Sequence, residues 1–242
     1  GRGPGLSAEA AAQFPLRVPR GFVARMRHGD PADPLLRQVL PLDAEMQPMP
    51  GFSLDAVGDA AAKAGDGVIR KYNGRALLVT TGSCAIHCRY CFRRHFPYAE
   101  ETAAAGGWQG AIDLIRTDAS IEEVILSGGD PWSLATHKLV ELTDALAAVP
   151  HLRRLRIHTR LPVVLPERVD GALLAWLDAL PWPVTVVLEA LAVMQDWAVR
   201  VAQRGAAEQA AMVVTVAESQ RWQQDGSCAD CFSFNGLFNL EI

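Results

Sequence analysis

Cys84, Cys88 and Cys91 stand at i, i+4 and i+7 in the stretch Cys84-Ala85-Ile86-His87-Cys88-Arg89-Tyr90-Cys91. Three thiolates so spaced on a loop can hold three irons of a cubane cluster. Most cubane clusters use four cysteines, so a three-cysteine loop leaves one iron open to chelate a small molecule. The same spacing could instead form one buried face of a helix. His87, Arg89, Arg93 and Arg94 are interleaved with the cysteines, however, and are costly to bury. A zinc site is the other rival, since structural zinc takes four ligands, often as two CxxC pairs. Cys228 and Cys231 could supply the second pair.

Two further clusters could serve the same chemistry. Ser127-Gly128-Gly129-Asp130-Pro131 offers a backbone that can approach a ligand without a Cβ in the way. His158-Thr159-Arg160 offers polar donors, or merely a solvated helix entry. Both lie at strand ends. Ala76–Thr81 is a continuous apolar, β-branched run suited to a strand buried on both faces. Residues 123–126, 155–158 and 184–187 read as further strands, and 107–117, 134–148 and 167–179 as helices. Strands alternating with helices of about a dozen residues imply βαβ units and a parallel sheet. Periodicity alone does not choose between a doubly wound sheet and a barrel. In either, ligands gather at the C-terminal strand ends, here after residues 81, 126, 158 and 187, and candidate chemistry follows the first three. Upstream, residues 1–55 are rich in Pro, Arg and Gly. Helices are expected near 20–27 and 34–40, the second capped by Asp33 with Pro34 at its first position.

The 242 residues carry a net charge of −4 and are half hydrophobic, which suits a globular chain and gives no reason to expect nucleic acid or an anionic membrane as partner. No apolar run is long enough to span a bilayer, and the first residues lack a secretion-signal pattern. Five cysteines in two tight groups argue for a reducing compartment, so a cytoplasmic protein is expected.

CxxxCxxC with an aromatic residue before the third cysteine resembles the signature of the radical S-adenosylmethionine (SAM) superfamily. That resemblance implies a [4Fe–4S] cluster on Cys84, Cys88 and Cys91 whose open iron binds the amino and carboxylate groups of SAM. It also implies that Tyr90 packs on the adenine and that Ser127, Gly128, Gly129 and Asp130 face the methionine amino group, with His158 and Arg160 at the same mouth. The likeness narrows further. Lys71-Tyr72-Asn73-Gly74-Arg75, Phe92–Tyr98, Ser127–Pro131 and Leu155–Pro162 together resemble lysine 2,3-aminomutases. The nearest branch is the one that supplies (R)-β-lysine for modifying elongation factor P, which Leu16–Arg20 and Asp33–Leu40 also fit. The resemblance implies an isomerase that moves the amino group of L-lysine from C2 to C3, using pyridoxal phosphate (PLP) beside SAM and a reductant such as flavodoxin or ferredoxin. By that likeness Lys71, Tyr72 and Arg75 face the PLP phosphate. Arg93 lies between it and the SAM carboxylate, as suits a cationic fork. Arg94 and His95 read as a solvated loop.

The likeness covers about residues 14–187. The fold expected from it is α/β: a radical SAM partial (β/α) barrel, truncated after about four strands, with an N-terminal helical extension. The corresponding divisions are 1–70 for the helical or irregular extension, 71–187 for the core and 188–242 for an atypical tail. In that tail 211–216 could be one more strand. No lysine follows Lys138, so the family's Schiff-base lysine has no counterpart, and a shifted reading frame after 187 would explain the change. Cys228 and Cys231 would then be accidental rather than a redox or metal pair. The competing functions are a lysine aminomutase, a radical enzyme that cleaves SAM without PLP, and a non-catalytic remnant that binds a cluster.

Overall fold

The computed structural model describes residues 6–65, 67–191, 211–217 and 237–239. In chain order the elements are α1 Ala8–Gln13, α2 Arg20–Val23, β1 Lys63–Gly65, β2 Val68–Ile69, β3 Arg75–Thr81, α3 Tyr98–Glu101, α4 Gln109–Thr117 and β4 Glu123–Gly128. There follow α5 Thr136–Ala147, β5 Arg154–Thr159, α6 Leu161–Val164, α7 Gly171–Asp178, β6 Val184–Leu191, β7 Ala211–Ala217 and β8 Leu237–Asn239. Short 3-10 turns occupy Leu36–Gln38, Asp43–Met46 and Ala60–Ala62.

The eight strands form one sheet in sequence order. β3 to β7 run parallel, and the antiparallel strands β1, β2 and β8 flank them. A doubly wound sheet would reverse its strand order at a switch point. No such reversal occurs among the described strands, so the sheet is singly wound, as a (β/α) barrel is. The segment 211–216 is one more strand, as the sequence allowed: β7 extends the parallel run to five, paired with β6 from Thr185↔Ala211 to Leu191↔Ala217. Sheet pairing also crosses both expected divisions, since β2 lies before residue 71 and β6 runs past 187.

Packing explains why the aliphatic runs become strands. The alternating faces of β3, β4 and β5 bury Leu78, Leu126 and Ile157. Helices α4, α5 and α7 cover them with Ile112 and Ile115, Leu139, Leu142 and Leu146, and Leu173 and Trp176. Each such aliphatic side chain contributes about 1.5–3 kcal/mol when fully buried. Trp176 donates its indole N–H to Thr143 Oγ1 at 3.1 Å, so the contact between α5 and α7 also satisfies a buried donor.

The helix expected over 34–40 is only the turn Leu36–Gln38, and the one near 20–27 is the four-residue α2. Asp33 does cap the turn: its Oδ1 accepts from Leu35 N and Leu36 N, each at 2.9 Å. Pro41 has no N–H to continue the turn, and the Gln38 carbonyl accepts instead from Arg89 N of the cysteine loop, at 2.8 Å.

At the N-terminal end of the parallel strands, Glu123 is buried and gathers Arg75 at 3.1 Å, Arg156 at 2.7 Å and Arg154 at 3.6 Å. Removing one partner of a buried charged cluster leaves the others unpaired, although here the arginines retain access to water. Glu123→Ala is therefore expected to cost about 1–3 kcal/mol of stability, read as a lower urea midpoint. The ends of the strands that carry the cysteines should be unaffected.

Candidate functional site

Residues 82–97 leave the C-terminal end of β3 and have no helix or strand of their own. Such a loop must find partners elsewhere for its buried polar groups. It finds them on three sides.

The N-terminal segment supplies the first. His87 N donates to Arg17 O at 2.9 Å, and Arg17 Nη1 returns a bond to Cys84 O at 3.1 Å. Phe14 stacks on His87 with ring centroids 4.6 Å apart. Arg89, 9 % exposed, donates to both Glu45 oxygens and to the carbonyls of Phe14 and Ala10. Arg94 donates to Glu45 Oε2 at 2.7 Å. Arg94 is thus a correction to the expected solvated loop: its side chain is 13 % exposed and paired. His95 is exposed, as expected. Burial pushes the Glu45 carboxyl up, but hydrogen bonds from Arg89, Leu42 N and Arg94 outweigh it and hold the group below its ordinary value. Buried arginine is tolerated here because its carboxylate and carbonyl partners are fixed in advance.

The second side is the end of β4. Gly129 N donates to Thr81 O at 2.7 Å and Asp130 N to Ser83 O at 2.9 Å. A Cβ on Gly129 would stand 2.4 Å from Ser83 O, and Gly128 has φ +101°. The glycines therefore let this turn lie directly on the cysteine loop, a constraint the residue types show only as a capacity for close approach. Tyr98 Oη donates to Gly128 O at 2.7 Å and ties the loop's far end to the same turn. In the sequence Tyr98 is only the last residue of the Phe92–Tyr98 motif.

The third side is the end of β5. Asp130 accepts from Trp132 N at 3.0 Å, Thr159 Oγ1 at 2.7 Å and Arg160 N at 2.8 Å. Burial raises its carboxyl against the pull of those bonds. Its carboxylate is thus engaged in joining two strand ends. Arg160 reaches the cysteine loop: Nη1 lies 2.7 Å from Cys88 Sγ, and the guanidinium sits over the Tyr90 ring, 5.1 Å from its centroid. Tyr90 is 44 % exposed, with one face taken by Arg160.

Other expected residues divide into two groups. Arg93 is buried and bonds Asp59 Oδ2 at 2.7 Å and Ser127 Oγ at 3.2 Å. Lys71 reaches the other oxygen of Asp59 at 2.5 Å and Val57 O at 2.5 Å. A chain Lys71–Asp59–Arg93–Ser127 therefore runs to the end of β4. Arg75 is a correction. It opens β3, and six residues at ~3.3 Å each put about 20 Å between its backbone and the cysteine-bearing end. Its partner there is Glu123. Tyr72 is 69 % exposed. The set expected around a PLP phosphate is not assembled.

His158 and Glu189 stand on neighbouring strands, with Nδ1 3.9 Å from Oε1. Burial, then Arg156 and Arg93, push the His158 imidazole down to about 4. The Glu189 carboxyl is raised by desolvation and then by Asp130. Its surface is reachable by water, but the concave mouth surrounds it with protein and with other charges. Glu189 was missed because the family pattern stops near Val187. Its only sequence signal is an acidic residue directly after an apolar strand, where a strand end was expected.

Burial, then Asp130 and the other two cysteines, push the Cys84 thiol up, and burial with Cys88 brings Cys91 up to about 11. Among the described residues no three Cys, His, Asp or Glu side chains converge on a point that would hold a single ion. A cubane does not require that convergence, because each thiolate binds its own iron, whereas tetrahedral zinc does. The donor set fits a cluster. For PLP the chain's three lysines are Lys63, Lys71 and Lys138. Lys71 is tied to Asp59, and Lys138 pairs with Glu141 on α5, so both of these side chains are already engaged. Cys228 and Cys231 lie outside the described residues.

The chain is 49 % identical over 160 residues to the L-lysine 2,3-aminomutase of Escherichia coli, covering 66 % of this chain and 46 % of that protein. It is 47 % identical over 163 residues to the Haemophilus influenzae enzyme of the same name, covering 67 % and 48 %. Against that of Buchnera aphidicola it is 44 % identical over 160 residues, covering 66 % and 47 %. The chain spans about half the length of these curated relatives. No family model matches it. No described helix is long and apolar enough to cross a membrane.

The neutral state of His158 has a consequence for stability. Between pH 6.5 and about 4 the unfolded chain binds a proton that the folded chain does not, so unfolding becomes easier as pH falls through that window. The loss is on the order of 2 kcal/mol. Urea midpoints at pH 7 and pH 5 should therefore fall further for the native chain than for His158→Asn. Equal falls would contradict the assignment.

Proposed function

Because this chain belongs, over about two thirds of its length, to the lysine 2,3-aminomutase family, we propose that it is a radical SAM isomerase acting on L-lysine. The reaction is the conversion of L-α-lysine to (R)-β-lysine, which then serves the modification of elongation factor P in the cytoplasm. Its reductant is a flavodoxin or ferredoxin. The observation that carries this reading is the loop of three thiols at the C-terminal end of β3, braced by the ends of β4 and β5. That is where a singly wound parallel sheet places its ligands.

Cys84, Cys88 and Cys91 would each hold one iron of a [4Fe–4S] cluster and leave the fourth for SAM. When bound, these groups supply an electron to the sulfonium and so a 5′-deoxyadenosyl radical. The chain's own residues position and shield. The Ser127–Gly129 turn offers its carbonyls and hydroxyl to the methionine ammonium, and the free face of Tyr90 suits the adenine. Arg93, held between Asp59 and Ser127, has further N–H donors that suit a carboxylate. His158, neutral and half-buried, can accept or donate a hydrogen bond at the mouth without adding charge.

A second reading keeps the cluster and SAM but not PLP. It is favoured by the occupation of Lys71 by Asp59 and by the remote place of Arg75.

Anaerobic reconstitution with iron and sulfide separates these readings. A brown protein that yields 5′-deoxyadenosine and methionine from SAM and dithionite is expected, and Cys88→Ala should abolish both colour and product. β-Lysine that forms only when PLP is added supports the aminomutase. Deoxyadenosine without β-lysine supports the second reading. A colourless protein holding zinc would overturn both.

A further inference from the structure

Arg160 carries more contacts to the cysteine loop than the proposed role at the SAM mouth uses. Its backbone is fixed by Asp130, which accepts from Arg160 N at 2.8 Å. Its Nη2 donates to Gln38 Oε1, and Gln38 is itself anchored by donating Nε2 to Pro34 O at 3.0 Å. The carbonyl of Gln38 meanwhile accepts from Arg89 N in the loop. The guanidinium is therefore braced on both sides before it meets the loop, where Nη1 is 2.7 Å from Cys88 Sγ and the plane covers Tyr90. Arg160 is 6 % exposed, and its Nε is buried with no hydrogen-bond partner among the described residues. A braced, buried cation with an unused donor beside a cysteine sulfur costs stability unless negative charge gathers there.

We propose that Arg160 is a positioning residue for the cluster, whose hydrogen bond to Cys88 Sγ stabilises the reduced state and sets the cluster's reduction potential. This rests on the cluster reading given above. The step concerned is one electron passing from a low-potential donor into the cluster, with no bond made or broken in the protein. Reduction adds negative charge to the irons and sulfurs, and a fixed cation that donates to a ligand sulfur favours the state with more of it. Lysine would keep the charge but lose the planar fork that lets one side chain reach Cys88 and Gln38 together. Gln38 acts one step further out, by holding the fork in place.

The test compares the native chain with Arg160→Gln, Arg160→Lys and Gln38→Leu, each reconstituted anaerobically and titrated with dithionite under electron paramagnetic resonance. Arg160→Gln is expected to shift the midpoint downward, with a tenfold loss in the equilibrium for reduction corresponding to ~59 mV for one electron. Arg160→Lys should fall between that variant and the native chain, and Gln38→Leu should shift the same way by less. Identical midpoints in all loaded proteins would overturn the proposal. So would loss of the cluster from every variant with native circular dichroism, since that would assign Arg160 to loop geometry alone. Failure of the native chain itself to take up iron would overturn the cluster reading, and this inference with it.

Discussion

The cysteine loop has no secondary structure to satisfy its own backbone, and this one constraint organises much of the molecule around it. Sixteen residues between β3 and α3 must be held by groups brought from far along the chain. The N-terminal segment, the Gly128–Gly129 turn and the Asp130–Thr159–Arg160 cluster meet that need from different directions. None of the three would be required if the loop were a helix. The segment before β3 is consequently a brace for the thiols: its carbonyls at Phe14, Pro15, Arg17 and Gln38 serve the loop, and that of Ala10 is shared between the end of α1 and Arg89.

Charge is distributed with the same economy. Arg89, Arg93 and Arg160 are all buried at the mouth of the sheet. The first two each have a carboxylate fixed in place, Glu45 and Asp59. Arg160 touches a neutral amide, a sulfur and a ring, and Asp130 beside it is engaged with backbone and hydroxyl donors. The Arg160 guanidinium thus meets the thiols without a carboxylate bonded to it directly. At the other end of the strands the balance is reversed, with one buried Glu123 shared by three partly exposed arginines.

The strands and long helices were legible in the sequence because they rest on local periodicity. Ala76–Thr81 and the helix at 107–117 appear almost where the residue pattern puts them. Asp33 was legible as a cap for the same reason. The N-terminal segment was not, since its conformation is decided by partners remote in sequence, such as Glu45 with Arg89, 44 residues away, and Gln38 with Arg160, 122 residues away. Arg94 looked solvated because nothing nearby in sequence neutralises it. Arg75 looked like a site residue through its motif, and only the strand's direction reveals that it points to the wrong end. The glycines at 128 and 129 were legible as permissive backbone, but the loop they touch was not.

Glu45 ties the N-terminal segment to the cysteine loop through Arg89 and Arg94, so its removal tests whether that brace keeps the thiols in place for a cluster. The most direct measurement is iron bound per chain after anaerobic reconstitution of Glu45→Ala beside the native protein, with far-ultraviolet circular dichroism on both. A clear fall in iron is expected while the signal of the sheet and helices is kept. Full loading in the variant would contradict it.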